Sequence, residues 1–345
     1  MASHLEQEIY EQPAVLRALL EGEADNVRAI AAAIRAFKPA FTYIAARGTS
    51  DNAARYAQYA MGTLLRMPVA LAAPSLHTIY ETPPDLARAL VIGISQSGAS
   101  TDINRALSDA KAQGALTVAI TNNPDSTLAR AADYHLYIHA GPERSVAATK
   151  TYTTELAAVA MLVSALVVSD SLAAALAALP ALAERTLALA EPMAGWVQRY
   201  RYMDKLITIG RGINYCTAFE IALKAKELNY ITADGYSEAD FRHGPLALIA
   251  PGFPVLVVAP EGQTLPGLLE FLDLLNERGA ESLVISNAEA AFTHARYAMP
   301  IPEMPEWISP ICAILPGQLF AMRLAHEKGY SLDAPRGITK VTITE

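Results

Sequence analysis

Residues 90–101, LVIGISQSGAST, decide the fold that this sequence predicts. The first five residues include no polar side chain, which is typical of a strand buried on both faces of a parallel sheet. Serines and a glycine follow, and they mark a loop that leads into a helix beginning near Asp102. The stretch therefore predicts the strand, loop and helix of one α/β unit.

Short β-branched runs alternate with Ala- and Leu-rich stretches along the rest of the chain, which predicts parallel sheets covered by helices on both faces. The predicted strands are 42–46, 90–95, 117–122 and 135–140 in the first half, and 206–210, 255–259, 283–287 and 298–301 in the second. The first three strands of each half repeat at one offset of about 164 residues, which indicates two copies of one unit.

We therefore predict an α/β protein of two doubly wound, flavodoxin-like domains, each a parallel sheet flanked by helices. The first domain, residues 1–185, includes an N-terminal helix, and the second covers residues 190–345. The helical link between them is expected to break at Pro180. The copies differ after their second strand, where the first has the serine-rich loop and the second has PEGQT at 260–264.

The serine-rich loop is a candidate phosphate cradle. Backbone N–H groups at a helix start carry partial positive charge, and together with hydroxyls they can bind a phosphate without a lysine. A second loop, RGTSDN at 47–52, follows the first strand, and its Gly48 allows close approach of a ligand to the backbone. Both loops could instead only cap helices. The candidate phosphate ligands are Ser95, Gln96, Ser97, Ser100, Thr49 and Ser50.

Composition limits the partners of the chain. The net charge is −8 with no basic run, which argues against nucleic acid as a partner. The two cysteines, Cys216 and Cys312, form no disulfide framework, so we expect a reducing cytoplasm. The acidic start is not a secretory signal, and the longest apolar run, 156–168, is shorter than the roughly 20 residues that span a bilayer. We expect no membrane partner.

Lys224 and Glu227 are candidates for acid–base work. They are three residues apart near the end of a predicted helix, so they share a face, and an ion pair there would keep Glu227 ionised as a base. An ordinary surface pair is the alternative.

His243 lies in a loop enforced by Gly244 and Pro245, and a histidine can give and take a proton near neutral pH. It could equally be an exposed loop histidine.

No metal site is predicted. His135 and His139 are four residues apart, but they would lie on a strand with no third ligand in view. No cofactor is indicated either.

Seven ordered stretches together resemble the SIS (sugar isomerase) family. Within it, the chain is similar to the isomerase portion of glutamine:fructose-6-phosphate amidotransferase (glucosamine-6-phosphate synthase) and to stand-alone aminosugar-phosphate deaminases. The resemblance covers nearly the whole chain. The stretches are residues 8–13, 48–50, 95–98, 146–150, 222–227, 243–248 and 333–340.

The resemblance implies roles for individual residues. Glu227 would move the proton between C1 and C2 of a sugar phosphate, with Lys224 beside it, and His243 would open the sugar ring. Lys340 lies in a tail that folds over the site, and its amine would engage the open-chain carbonyl. Gly48 and Val146 would contact substrate. In that family the ring-opening histidine, which His243 resembles, reaches the active site of the partner subunit, so the resemblance also implies a homodimer with shared active sites.

The chain departs from the synthase pattern at three points. Arg47 stands where the synthase usually has cysteine, Ala99-Ser100 replaces Glu-Thr, and these 345 residues include no glutaminase domain. We therefore expect release of ammonia from glucosamine 6-phosphate, or related aldose–ketose isomerisation, through an enediol-type intermediate. Glutamine-dependent synthesis with a separate glutaminase and a non-catalytic sugar-phosphate sensor remain as alternatives.

Overall fold

The computed structural model describes residues 2–340 and contains two five-stranded parallel sheets. The first sheet has the strand order β2-β1-β3-β4-β5 and the second has β10-β9-β8-β6-β7. When the second sheet is read from its other edge, its five strands follow the same order as those of the first sheet. The predicted α/β class with two repeats of one doubly wound unit is confirmed. The strands are β1 Phe41–Ala45, β2 Val69–Leu71, β3 Ala89–Ile94, β4 Leu116–Thr121, β5 Tyr134–Tyr137, β6 Lys205–Gly210, β7 Thr232–Ser237, β8 Pro254–Val258, β9 Glu281–Ser286 and β10 Tyr297–Pro300.

Fourteen α-helices alternate with these strands in residues 2–340. Most of the longer ones are rich in Ala and Leu, as expected for helices that cover a sheet. They are α1 His4–Tyr10, α2 Gln12–Gly22, α3 Ala24–Phe37, α4 Gly48–Leu65, α5 Ser75–Thr78, α6 Thr101–Ala112, α7 Thr127–Ala131, α8 Lys150–Val167, α9 Asp170–Leu189, α10 Tyr215–Asn229, α11 Glu238–Arg242, α12 Leu265–Glu277, α13 Glu289–Phe292 and α14 Ser309–Glu327.

The described chain divides into two compact units, each built on one sheet. The first-sheet unit consists of residues 14–143, 150–177 and 339–340, and the second-sheet unit consists of residues 2–13, 144–149 and 178–338. Every residue of β3 is buried, and Val91 packs with Ile103, Leu107 and Leu128 in the core of the first. The equivalent Val255 packs with Leu268, Phe271 and Leu272 in the second. The predicted domain boundaries at 185 and 190 stay a prediction.

The structure differs from the sequence expectations at the sheet edges. Two edge strands, β2 and β7, were not predicted. β2 is only three residues long and is partly exposed, and β7 carries Asp234 and Gly235, which strands usually avoid. Edge strands pair on one side only, so their sequences carry a weaker signal than the buried central strands do.

The expected helix break at Pro180 is wrong, because α9 continues through it to Leu189. Proline removes one backbone hydrogen bond, but its fixed φ is compatible with a helix. Leu179, Leu182, Ala183 and Leu187 are buried on either side of it, and this packing offsets the lost bond.

By length and composition alone, two helical stretches of the described chain could cross a membrane. They are Asp170–Gly195 and Glu306–Glu327. The apolar window of the second is 94% buried inside the protein and that of the first 44%. The second is therefore a core helix, and the first has one partly exposed face.

Candidate functional site

The serine-rich loop joins β3 to α6 and is shaped by its own hydrogen bonds. Ser95 Oγ accepts from Gly98 N at 3.2 Å and lies 3.5 Å from Ser100 Oγ, while Ser97 Oγ accepts from Ala99 N at 3.3 Å. Gln96 and Ser97 are half-buried and Ser95 is buried. The loop therefore folds into a compact turn that brings three hydroxyls to the amino end of α6.

Gly98 is the residue on which the shape of this turn depends. Its φ is +63°, and a Cβ there would lie 2.2 Å from Ser126 Oγ. Any other residue would be strained and would collide with the neighbouring loop. Asn104, one turn into α6, donates to Ser100 O at 2.8 Å and to Gly98 O at 3.3 Å, which ties the loop to the helix.

Ser100 is the N-cap of α6, but its side chain makes no capping hydrogen bond. The capping alternative considered from sequence would have had this hydroxyl accept a backbone N–H of the helix. Ile103 N donates to Asp102 Oδ1 at 2.9 Å, so the N–H groups of Thr101 and Asp102 are the ones that can receive an anion from outside the chain.

The second hydroxyl-rich loop leads from β1 into α4. Gly48 has φ +54° and an added Cβ would meet nothing within 4 Å, so the space over its backbone is open. Thr49 is half-buried in the first turn of α4. Ser50 is buried and donates its hydroxyl proton to Glu155 Oε1 at 2.8 Å. Ser50 therefore offers an outside ligand an oxygen acceptor rather than a donor.

Both loops lie at one place in the sheet. β1 and β3 are adjacent, and strand order reverses between them, since β2 lies on one side and β4 on the other. Ligands of doubly wound sheets bind beyond the carboxyl ends of the two strands at this switch point. The structure thus brings the predicted phosphate ligands from both loops to one edge of the first sheet.

The corresponding loop of the second sheet is already occupied by a carboxylate of the chain. Glu306 accepts from Gln263 N at 2.9 Å and from Thr264 Oγ1 at 3.2 Å. Thr264 is the N-cap of α12, as Ser100 is of α6, and Gly262 stands where the first copy has Gly98. The equivalent position in the second copy therefore binds an anion, supplied by the protein itself.

Lys224 is the centre of a buried charge cluster in the second-sheet unit. Its side chain is 0% exposed, and its Nζ lies 2.5 Å from Glu227 Oε2 and 3.3 Å from Glu220 Oε1. Burial alone lowers the pKa of Lys224, but the attraction of Glu227 and Glu220 outweighs it and raises the pKa above the ordinary value. Lys224 is therefore held as a cation.

The two carboxylates of this cluster differ in access. The side chain of Glu220 is fully buried, whereas that of Glu227 is 22% exposed. Glu220 was not among the predicted site residues, although its position four residues before Lys224 on α10 could have indicated it. Of the two, only Glu227 can reach a ligand while keeping its ion pair.

His243 lies directly after α11 and is exposed. Its backbone N–H donates to Asp240 O at 3.1 Å, while its ring has no recorded partner within residues 2–340. The preceding residue, Arg242, is held by the buried Glu238. The backbone of the loop is thus fixed and its imidazole is presented to the outside of the unit.

Lys340 is attached to the first-sheet unit through Glu143. Its Nζ lies 2.6 Å from Glu143 Oε2, and the side chain of Glu143 is 0% exposed. Glu143 also accepts from Thr151 N at 3.2 Å and from Thr151 Oγ1 at 2.8 Å, at the start of α8. Sequence reasoning missed Glu143, since no spacing or pattern links it to Lys340. The Lys340 amine is therefore held in a partly buried ion pair, in which Glu143 is the buried partner.

Val146 is half-buried in a bend at 145–147 that α1 holds in place. The carboxylate of Glu8 accepts from Arg144 N, Ser145 N and Ser145 Oγ. Gln12 Nε2 donates to Gln318 Oε1 at 2.8 Å, and Gln318 donates on to Thr149 O. The N-terminal stretch 8–13 therefore serves as the support of the segment that carries Val146.

His135 and His139, the two histidines with metal-like spacing, each have a different hydrogen-bond partner. His135 Nε2 lies 2.9 Å from Thr121 Oγ1, and His139 Nε2 lies 3.0 Å from Glu23 Oε1. Between residues 2 and 340, no group of three or more His, Cys, Asp or Glu side chains is arranged to hold a metal ion.

The family model of the SIS domain matches residues 41–165 and again residues 200–328. The chain belongs to the SIS domain family. Each match contains one of the two sheets, so the two repeats are two SIS domains.

Relatives of this SIS chain cover nearly all of it. The glutamine–fructose-6-phosphate aminotransferase [isomerizing] of Aquifex aeolicus is 35% identical over 342 residues, which are 98% of this chain and 57% of that protein. The chain thus spans little more than half the length of the curated relatives it matches.

Solved structures of similar proteins also match nearly the whole chain. The C-terminal domain of glucosamine-fructose-6-phosphate aminotransferase from Francisella tularensis is 27% identical with a TM-score of 0.86, over 97% of this chain and 99% of that one. A protein of Silicibacter pomeroyi DSS-3, provisionally assigned as a phosphosugar isomerase, is 35% identical with a TM-score of 0.89, over 96% and 99% of the two chains.

Proposed function

We propose that this chain converts an aminosugar 6-phosphate, glucosamine 6-phosphate, into fructose 6-phosphate and ammonia. The observation that carries the proposal is the anion-ready loop 95–101 at the switch point of the first sheet, in a chain that also pairs Glu227 with a buried lysine. The names of its relatives, which contain fructose 6-phosphate and isomerisation, support this substrate class. The groups of the chain that take part are acids, bases and an amine, and the proposal includes no cofactor.

The first steps are ring opening and proton transfer. His243 protonates the ring oxygen and accepts the proton of the C1 hydroxyl, which gives the open-chain aldehyde. Glu227 then removes the proton from C2 and returns it to C1, so the aldose becomes a ketimine through an enediol-type intermediate. The phosphate is held meanwhile by Ser95, Gln96, Ser97 and Ser100, with Thr49 beside them, while the predicted ligand Ser50 keeps its hydroxyl proton on Glu155.

Lys340 completes the release of ammonia. Its neutral amine attacks C2 of the ketimine, the C2–NH₂ bond breaks, and ammonia leaves, so that the sugar is joined to Lys340 as an imine. Water then adds to C2, the C2–Nζ bond breaks, and fructose 6-phosphate and the free amine are formed. The sum is aminosugar phosphate plus water to ketose phosphate plus ammonia. Glu143 is placed to take the proton that Lys340 must lose.

A coupled assay of ammonia and fructose 6-phosphate tests the proposal. We expect glucosamine 6-phosphate to give both products in equal amounts and unphosphorylated glucosamine to give neither, because the cradle binds the phosphate. Glucosamine 6-phosphate formed from fructose 6-phosphate, and only with glutamine and an added glutaminase, would instead indicate synthesis. Tight binding without turnover, across a panel of hexosamine and fructosamine phosphates, would indicate a sensor.

A homodimer with shared active sites belongs to the same proposal. The exposed imidazole of His243 is what a residue that works in a second subunit requires. We expect Glu227→Gln and His243→Ala, each inactive alone, to regain about a quarter of the wild-type activity after mixing and reassociation. Half of the reassociated dimers then contain one subunit of each variant, and each of these dimers has one of its two active sites intact.

Two controls accompany this experiment. Sedimentation must show that both variants are dimers before and after mixing, and each variant mixed with itself must stay inactive. No recovery by a reassociated mixture would mean that Glu227 and His243 act within one chain.

The burial of Cys216 and Cys312 without a disulfide supports a reducing cytoplasm as the compartment.

A further inference from the structure

Arg47 lies between β1 and α4 and is held by a buried carboxylate. Its Nε donates to Asp102 Oδ2 at 2.7 Å, and the side chain of Asp102 is 0% exposed. The side chain of Arg47 itself is 48% exposed. A guanidinium with a fully buried partner on one side and solvent on the other is fixed in place and open to a second partner.

The remaining donors of this guanidinium are available. Arginine carries five N–H donors, and Nε supplies only one of them. Among residues 2–340, Asp102 is the one group that pairs with the Arg47 guanidinium. Asp102 is itself fixed, since its Oδ1 accepts from Ile103 N at 2.9 Å.

The position of Asp102 places the guanidinium beside the serine-rich loop. Asp102 lies in the first turn of α6, two residues after Ser100, the N-cap. The Arg47 side chain therefore reaches from the end of β1 to the amino end of α6, where the loop hydroxyls and the first helical N–H groups converge. A carboxylate at that end would repel an anion, and its pairing with Arg47 cancels this repulsion.

The second SIS repeat has an arginine in the same position. Arg211 follows β6 with nearly the backbone angles of Arg47, φ −142° against −140°, and it pairs with the buried Glu238. A Cβ on Gly267, in the first turn of α12, would lie 4.0 Å from Arg211 Nη1. In both repeats this arginine thus reaches the amino end of the helix that follows the neighbouring strand, α6 after β3 and α12 after β8, and the amino end of α12 receives the Glu306 carboxylate.

We propose that Arg47 is a phosphate-binding residue of the first repeat, whose Nη groups donate to a phosphate oxygen while its Nε stays on Asp102. The proposal rests on the proposed function, because it assigns a further ligand to the same sugar phosphate. Asp102 then acts as a positioning residue that orients the guanidinium before the ligand arrives.

Calorimetric titration with inorganic phosphate tests this without any turnover. We expect Arg47→Ala to weaken phosphate binding by about tenfold to a hundredfold, the usual effect of losing a charge-assisted hydrogen bond. The loss should shrink as KCl is raised, since salt screens a half-exposed charge. Arg211→Ala, the matched substitution in the second repeat, should leave phosphate affinity unchanged.

A second variant covers the risk that Arg47→Ala leaves Asp102 buried without a partner. The double substitution Arg47→Ala with Asp102→Asn removes both charges, and it should fold and bind phosphate as weakly as the single variant. If the double variant binds phosphate like wild type while Ser97→Ala binds it weakly, Arg47 only neutralises Asp102 and this proposal alone is wrong. If wild type binds no phosphate, the cradle itself is wrong and Arg47 with it.

Discussion

Glutamine in place of Glu227 is expected to lower kcat for ammonia release from glucosamine 6-phosphate by about 10²- to 10⁴-fold, the usual contribution of a general base. Glutamine keeps the size of the side chain and can still accept from Lys224, but it cannot carry a proton between C2 and C1. Because the phosphate ligands lie on other residues, KM should change far less than kcat.

Glu220→Gln is the matched control for this substitution. It removes a carboxylate charge from beside the same lysine, because Glu220 lies one turn before Lys224 on α10, and its side chain is fully buried. We expect it to lower stability while kcat stays close to wild type. Turnover by Glu227→Gln equal to wild type, or an equal loss of kcat in both variants, would show that Glu227 is not the base.

Methionine in place of Lys224 is expected to have the largest effect on stability, about 3–5 kcal/mol of the free energy of unfolding. The substitution keeps a long side chain in the core but leaves two carboxylates without their cation, and Glu220 has no exposed surface through which water could replace it. Urea unfolding, followed by circular dichroism, measures the loss.

Removing the charge of Glu220 as well should restore much of this stability. In the double substitution Lys224→Met with Glu220→Gln, the remaining carboxylate belongs to Glu227, which has some contact with solvent. Neutral replacement of a whole buried ionic network is usually far less costly than breaking it. A loss below about 1 kcal/mol for Lys224→Met alone would contradict the assignment of a buried cation.

The pH dependence of the stability that Lys224 contributes follows from the direction of its pKa shift. The pKa of Lys224 is raised in the folded protein, so its contribution to stability is complete below the ordinary value of 10.5 and declines as pH rises beyond it. The advantage of wild type over Lys224→Met should therefore be constant near neutral pH and become smaller in strongly alkaline buffer.

The buried central strands and the loop that follows β3 could be predicted from sequence because each leaves a local pattern. Runs such as LVIGI have no polar residue, and a serine-rich loop at the head of a helix is recognisable by itself. The edge strand β7 could not be found in this way, because Asp234 and Gly235 break the pattern while the partner strand β6 supplies the pairing.

The contacts that hold the candidate residues were mostly hidden from the sequence. Lys340 and Glu143 are 197 positions apart, and nothing in the residues between them indicates the pair. The same holds for Glu8 and Ser145, which are 137 positions apart. Such pairs depend on the fold, whereas Lys224 and Glu227 share one helix face and could be predicted from their spacing.

Glu306 makes the two SIS repeats different in their thermodynamics. The loop of the second repeat holds an anion that is covalently part of the chain, so its stability is independent of what is dissolved around it. In the proposed function, the loop of the first repeat takes its anion from solution, and a ligand that binds only the folded state stabilises that state by mass action. On this proposal, we expect the heat resistance of the first-sheet unit to rise with the concentration of sugar phosphate and that of the second-sheet unit to stay the same.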